Sequence, residues 1–166
     1  MRAFILGCLL CLSPLLVNAA TSSASVVSLQ GSGDFKAADK SDWQRVSVKQ
    51  PLFHGDFVRT GDLSQMALLF SDNTQLRLNQ NSQLQIKSVG DSQGAQTVVK
   101  LNAGRAWSQI KPQTGGGSGG VRVNMETPSA TMSIRGTDWE VEVAPDGTTQ
   151  LVVLSGTVEI GNAQGQ

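Results

Sequence analysis

Apolar residues recur at every second position along most of the chain after Ala24, and a side-chain period of two is the signature of a strand with one buried face. Leu76 and Leu78 flank Arg77, Leu84 and Ile86 flank Gln85, and Trp139, Val141 and Val143 alternate with Glu140 and Glu142. Met66, Leu68 and Phe70 keep the same beat, as do Val121, Val123 and Met125, and then Val158 and Ile160. No stretch carries a helical stripe. Leu151-Val152-Val153-Leu154 is continuously apolar and reads as a strand buried on both faces. Ser71-Asp72-Asn73, Asn79-Gln80-Asn81 and Pro145-Asp146-Gly147 supply turn chemistry, because Asn, Asp and Gly accept left-handed backbone or bond to it locally. Short strands at close spacing between such turns define an all-β domain.

One repeat narrows the architecture. Asn73-Thr74-Gln75-Leu76-Arg77-Leu78 returns eight residues later as Asn81-Ser82-Gln83-Leu84-Gln85-Ile86. With a turn between them, the copies are expected to lie side by side, each burying its apolar residues against the other's. That is the construction of a β-roll or short solenoid of many short strands, and it is the expected fold; a β-sandwich is the alternative. Residues 114–120, TGGGSGG, read as an irregular excursion between strands. They lack both the lysine and the following helix of a phosphate-binding loop.

The first 19 residues stand apart. Arg2 precedes the apolar stretch from Ala3 to Leu16, and Val17-Asn18-Ala19 offers small residues for signal-peptidase cleavage after Ala19. About 14 residues is short of the roughly 20 that a membrane span needs, so an uncleaved anchor is the weaker reading. Cys8 follows Ile5-Leu6-Gly7 in the manner of a lipobox, but too little apolar chain precedes it. Cys8 and Cys11 both fall inside the leader, so the mature chain is expected to carry no thiol, disulfide or cysteine-bound metal. Loss of Arg2 from the 13 basic residues leaves a mature net charge of about −1 against 13 acidic ones. With no basic block, nucleic acid is not an expected partner. The expectation is a signal peptide over residues 1–19, one β domain over 25–160, a tail over 161–166, and a periplasmic or otherwise secreted location with no stable membrane span after cleavage.

Residues 127–143, TPSATMSIRGTDWEVEV, contain an irregularity in the beat. Apolar positions are even at Met132 and Ile134 and odd from Trp139 onward. A shift of one residue turns every side chain to the opposite face, so the chain must absorb it at Arg135-Gly136-Thr137. Glycine permits the bulge or corner required, and the Arg135 guanidinium has donors to spare for exposed carbonyls.

This segment resembles the FecR domain, with its threonine-proline lead-in, Arg-Gly-Thr step and acidic-aromatic strand. Residues 55–86 are similar to the family's Gly-Asp opening and paired leucine strands, 99–107 to its leucine-and-glycine hairpin, and 145–160 to its closing strands. The resemblance spans roughly residues 25–160. Asn73 departs from it, standing where the family often places glycine after aspartate. The resemblance implies a structural role for Arg135, Gly136, Thr137 and Asp138. It also implies a connection with regulators that relay the occupancy of an outer-membrane iron-siderophore receptor to a cytoplasmic sigma factor. Those regulators use a cytoplasmic segment and a membrane span, neither of which is recognised here, so the complete signalling function is not carried over.

No catalytic constellation emerges. Asp138, Glu140 and Glu142 share one strand face at about 6–7 Å spacing, superficially that of a glycosidase pair. They alternate with core residues on a single strand, the pattern of a solvated face. His54, the only histidine, sits in Phe53-His54-Gly55-Asp56 with no nucleophile motif near it. Trp139 belongs with the core valines, Trp107 is ambiguous, and Trp43 is the candidate surface anchor. Gln75, Arg77, Gln83 and Gln85 should line an exposed sheet face. The expected function is therefore an exported, non-catalytic module without cofactor or metal, binding an envelope protein or a cell-wall glycan. The alternative is a component of FecR-type signalling in iron-uptake regulation, acting through a separate membrane partner.

Overall fold

A computed structural model describes residues 22–90, 96–109 and 122–162. The expected leader, the glycine-rich stretch 114–120 and the end of the tail lie outside the described residues. Among those described there is no helix, and the chain is all-β. The strands are β1 (Ala24–Gln30), β2 (Gly33–Lys36), β3 (Gln44–Arg45), β4 (Pro51–Leu52), β5 (Phe57–Thr60), β6 (Gln65–Phe70), β7 (Gln75–Leu78), β8 (Gln83–Ser88), β9 (Thr97–Gln109), β10 (Arg122–Glu126), β11 (Thr131–Val143) and β12 (Thr149–Gly161). They form one sheet with the path β3-β2-β5-β8-β9-β7-β6-β1-β4, to which β10, β11 and β12 attach through β9. Only β9 and β10 pair in parallel; every other described ladder is antiparallel. The sheet curls around a single apolar core with a barrel-like centre.

The alternation predicts the inward set well. Leu76, Leu78, Leu84, Ile86, Val123, Met125, Met132, Ile134, Trp139, Val141 and Val143 are all buried in one cluster. The change of parity in β11 is real: Met132 and Ile134 face inward, then Trp139, Val141 and Val143 do, and the ladder to β12 shifts register on both sides of Asp138. It is not the only such change. In β9 the inward residues are Val99 and Leu101 before Gly104 and Ala106 and Ser108 after it. Gly104 has a φ of +82°, and a Cβ there would lie 2.7 Å from the Asn81 carbonyl oxygen. Residues 99–107 are therefore not a hairpin. They are one strand whose faces swap at a glycine, because left-handed backbone turns the pleat without ending the ladder.

That swap explains where the two repeat copies go. They are not side by side. β7 pairs with Ala106–Ser108 of β9 and β8 pairs with Val98–Ala103, so the copies lie end to end along the same edge of one long strand. An even repeat length keeps the leucines on one face, and the intervening turn sits opposite the Gly104 corner. Ser82 binds the copies to that corner: its Oγ accepts from the Arg105 N–H at 2.9 Å and donates to the Arg105 carbonyl at 3.1 Å.

A third copy is disguised in the sequence. Leu63-Ser64-Gln65-Met66-Ala67-Leu68 has the same local structure as the two Asn-led copies. Leu63, Asn73 and Asn81 all hold positive φ, at 51°, 67° and 54°. Each precedes a buried hydroxyl residue, Ser64, Thr74 or Ser82, all 1% exposed. The hydroxyls of Ser64 and Ser82 satisfy backbone groups across the turns, whereas Thr74 Oγ1 finds no partner.

One expectation is reversed by the sheet. Leu151-Val152-Val153-Leu154 is not buried on both faces: Val152, Val153 and Leu154 are 49%, 41% and 67% exposed. β12 pairs only with β11 among the described strands, so it is an edge. A continuous apolar run signals two covered faces only when a neighbour exists to cover them.

Candidate functional site

The outward residues of β1, β6, β7, β9 and β11 fall into register across the sheet. Ser28 lies opposite Ala67, Ala67 opposite Arg77, Arg77 opposite Trp107, and Trp107 opposite Glu140. The row begins with two small side chains and continues with two large ones. Gln30 pairs with Gln65 on one side of Ser28 and Ala67, and Gln75 rises on the other. The result is a groove of about 640 Å³ with Ser28 and Ala67 in its floor. Among the described residues no carboxylate lines it. The Arg77 guanidinium carbon stands 5.1 Å from the centre of the Trp107 ring, a cation–π arrangement that fixes both groups. Trp107, ambiguous in the sequence, is half-buried in the wall of this groove, and Gln75 and Arg77 line it. Gln83 and Gln85 belong to β8 and do not line it.

Beyond Trp107 the face changes character. Glu140 and Glu142 project from β11 beside Arg105 of β9. Arg105 Nη2 donates to Glu142 Oε2 at 2.7 Å, and its Nε lies 3.5 Å from Glu140 Oε1. The hydrogen bond to Glu142 and then the charge of Glu140 raise the Arg105 pKa above its ordinary value. The two carboxylates are joined by one guanidinium on neighbouring strands, and among the described residues no opposing element stands ready to hold a sugar between them. This is an ion-pair ladder on a half-exposed face. Asp138, third in the series, has a buried Oδ1 with no hydrogen-bond partner among the described residues.

Trp43 is half-buried, and its ring is occupied by cations, with Arg59 4.3 Å and Lys36 5.5 Å from the ring centre. Asp34 in turn holds Arg59 at 3.0 Å and Arg45 at 3.5 Å. Any anchor role for Trp43 therefore involves this whole basic-aromatic cluster. His54 is exposed in the turn before β5. Its neighbour Asp56 is buried and committed to backbone: Oδ1 accepts from the Ala38 N–H at 3.0 Å and Oδ2 from the Phe53 N–H at 2.8 Å. Asp56 thus pins two loops and does not orient the imidazole. Among the described residues no group of three or more His, Cys, Asp or Glu could hold a metal. No described helix is long and apolar enough to cross a membrane.

Arg135 is exposed at the parity change in β11, and Gly136 and Thr137 continue that strand between Arg135 and Asp138. Sequence reasoning foresaw β12 as a closing strand but missed that it is an exposed edge of the described sheet. It is 13 residues long, contains no proline or lysine, and carries one charge, Glu159.

The family model described as "FecR protein" matches residues 56–159. No curated protein and no solved structure matches the chain at a significant level.

Proposed function

The chain belongs to the FecR family, and from that premise we propose that it is an exported, non-catalytic module that binds an envelope protein by accepting a strand along β12. The supporting observation is an edge that no other described strand covers. Sheet edges ordinarily carry lysine, proline or a cover, because their free N–H and C=O groups pair with any extended chain. β12 has exposed Val152, Val153, Leu154 and Ile160 instead. Added strands gain affinity from backbone hydrogen bonds and specificity from alternate side-chain positions.

A photoreactive side chain at position 154 should give a discrete adduct with one envelope protein. The same probe at Thr148, in the neighbouring exposed turn, should not. Val152→Lys should abolish the adduct. Equal labelling from both positions, or an adduct consisting of two copies of this chain, would sink the proposal.

Family membership favours a second reading, in which the module contributes to FecR-type signalling through a separate membrane partner. Deletion of the gene should then alter siderophore-dependent transcription of iron-uptake genes. Unchanged transcription rejects this reading and leaves the strand-binding role to be judged on its own test.

A further inference from the structure

We propose that the groove over Ser28 and Ala67 is a binding subsite for an acidic oligosaccharide, with a sugar carboxylate on Arg77. The first reason is charge. Arg45 and Arg59 are held by Asp34, and Arg105 by Glu140 and Glu142. Arg77 has no acidic partner among the described residues, although it stands on the same sheet face. The Arg77 guanidinium carbon lies 5.1 Å from the Trp107 ring centre, and a guanidinium over an indole ring still has N–H donors to receive a carboxylate through two parallel hydrogen bonds. The contact with Trp107 also restrains Arg77 in advance, so less side-chain freedom is lost on binding.

The second reason is the company Arg77 keeps. Gln30, Gln65, Gln75 and Asn79 line the groove. None of their side-chain amides is hydrogen-bonded to another described residue. Each amide offers donors and an acceptor, which suits hydroxyl groups that also donate and accept. A sugar presents many such hydroxyls on a rigid ring. An acidic peptide also donates and accepts, but from a flexible backbone that must be ordered on binding, and a phosphate dianion against one arginine leaves much of its charge uncompensated. The small residues of the floor matter as well: Ser28 and Ala67 leave room between taller neighbours for a ring lying along the sheet.

This subsite lies on the sheet face and does not depend on strand addition at β12. Its test is titration of the full chain with a uronic-acid oligosaccharide, a neutral oligosaccharide of the same length and an acidic peptide of the same charge. Calorimetry supplies the affinity, and tryptophan fluorescence compared between the full chain and its Trp107→Phe variant reports on Trp107. The uronic-acid compound should bind saturably within the millimolar range, and the neutral compound about tenfold more weakly, equivalent to about 1.4 kcal/mol. Arg77→Gln should remove that preference, Arg77→Lys should restore part of it, and Gln65→Ala should weaken both sugars. Circular dichroism of each variant checks that the fold is intact. Absence of saturable binding, an unchanged preference in Arg77→Gln, or equal binding of the acidic peptide would each overturn the assignment.

Discussion

Leu63 holds left-handed backbone with a φ of 51° while 89% of its side chain faces solvent. A branched apolar residue has no local means of stabilising that conformation, whereas asparagine tolerates it through short-range hydrogen bonding. The other two copies of the repeat use Asn73 and Asn81 at this position. Leu63→Asn should therefore raise stability by about 1 kcal/mol in thermal or urea denaturation. The buried Thr74 hydroxyl is a second local conflict, since it has left water without gaining a partner. Thr74→Val keeps the shape and removes the polar atom, so it should stabilise by about 1 kcal/mol in the same assay. Asp146 works in the opposite sense. Its carboxylate accepts the Thr148 N–H at 2.9 Å in the β11–β12 turn, and that backbone hydrogen bond lowers its pKa. A depressed folded-state value means that its stabilisation is present above the ordinary carboxylate pKa and fades as pH falls through the folded value. Melting curves of Asp146→Ala should consequently show a smaller acid-side decline than those of the parent chain.

At the level of strands, face was easier to read than neighbourhood. Periodicity assigned Leu76, Leu78, Leu84 and Ile86 to the core because alternation reports which side of a pleat a residue occupies. It could not say which strand lies alongside, and so the end-to-end placement of β7 and β8 along β9 was missed. The parity change at Arg135-Gly136 was visible because apolar markers stand close on both sides of it. The equivalent change at Gly104 was obscured by Asn102 and Ala103, which carry no clear preference for either face. The third repeat copy was hidden for a similar reason, as its left-handed position is filled by leucine. Of the candidate site, Gln75 and Arg77 were legible as outward residues, but the groove also needs Ser28, Gln30 and Gln65 from distant segments. Gly104→Val tests the corner in β9. Positive φ and a Cβ lying 2.5 Å from Ser82 Cα should together cost about 3 kcal/mol or more, measured as a lowered denaturation midpoint.

Across the molecule, the core extends past the region matched by the family model. Val26 and Leu52 precede residue 56, are fully buried, and belong to the same cluster as Leu68 and Trp139. β1 covers β6 through a six-pair ladder, so its removal bares Met66, Leu68 and Phe70. A chain beginning at residue 56 should lose cooperative thermal unfolding even though it retains the whole family match. Leu52→Ala should cost about 2–5 kcal/mol in the full chain, as expected for a large buried side chain.

The central position of β9 also sets an order of events during synthesis. β7 and β8 both complete their pairing on this one strand, and β10 and β11 attach to it from the other side. Until Gln109 has emerged from the ribosome, the preceding segments have no common template. The sheet is then assembled by contacts between residues far apart in the chain, a topology associated with folding in milliseconds to seconds. Such a polypeptide stays without its final core for longer than a helical bundle of the same size.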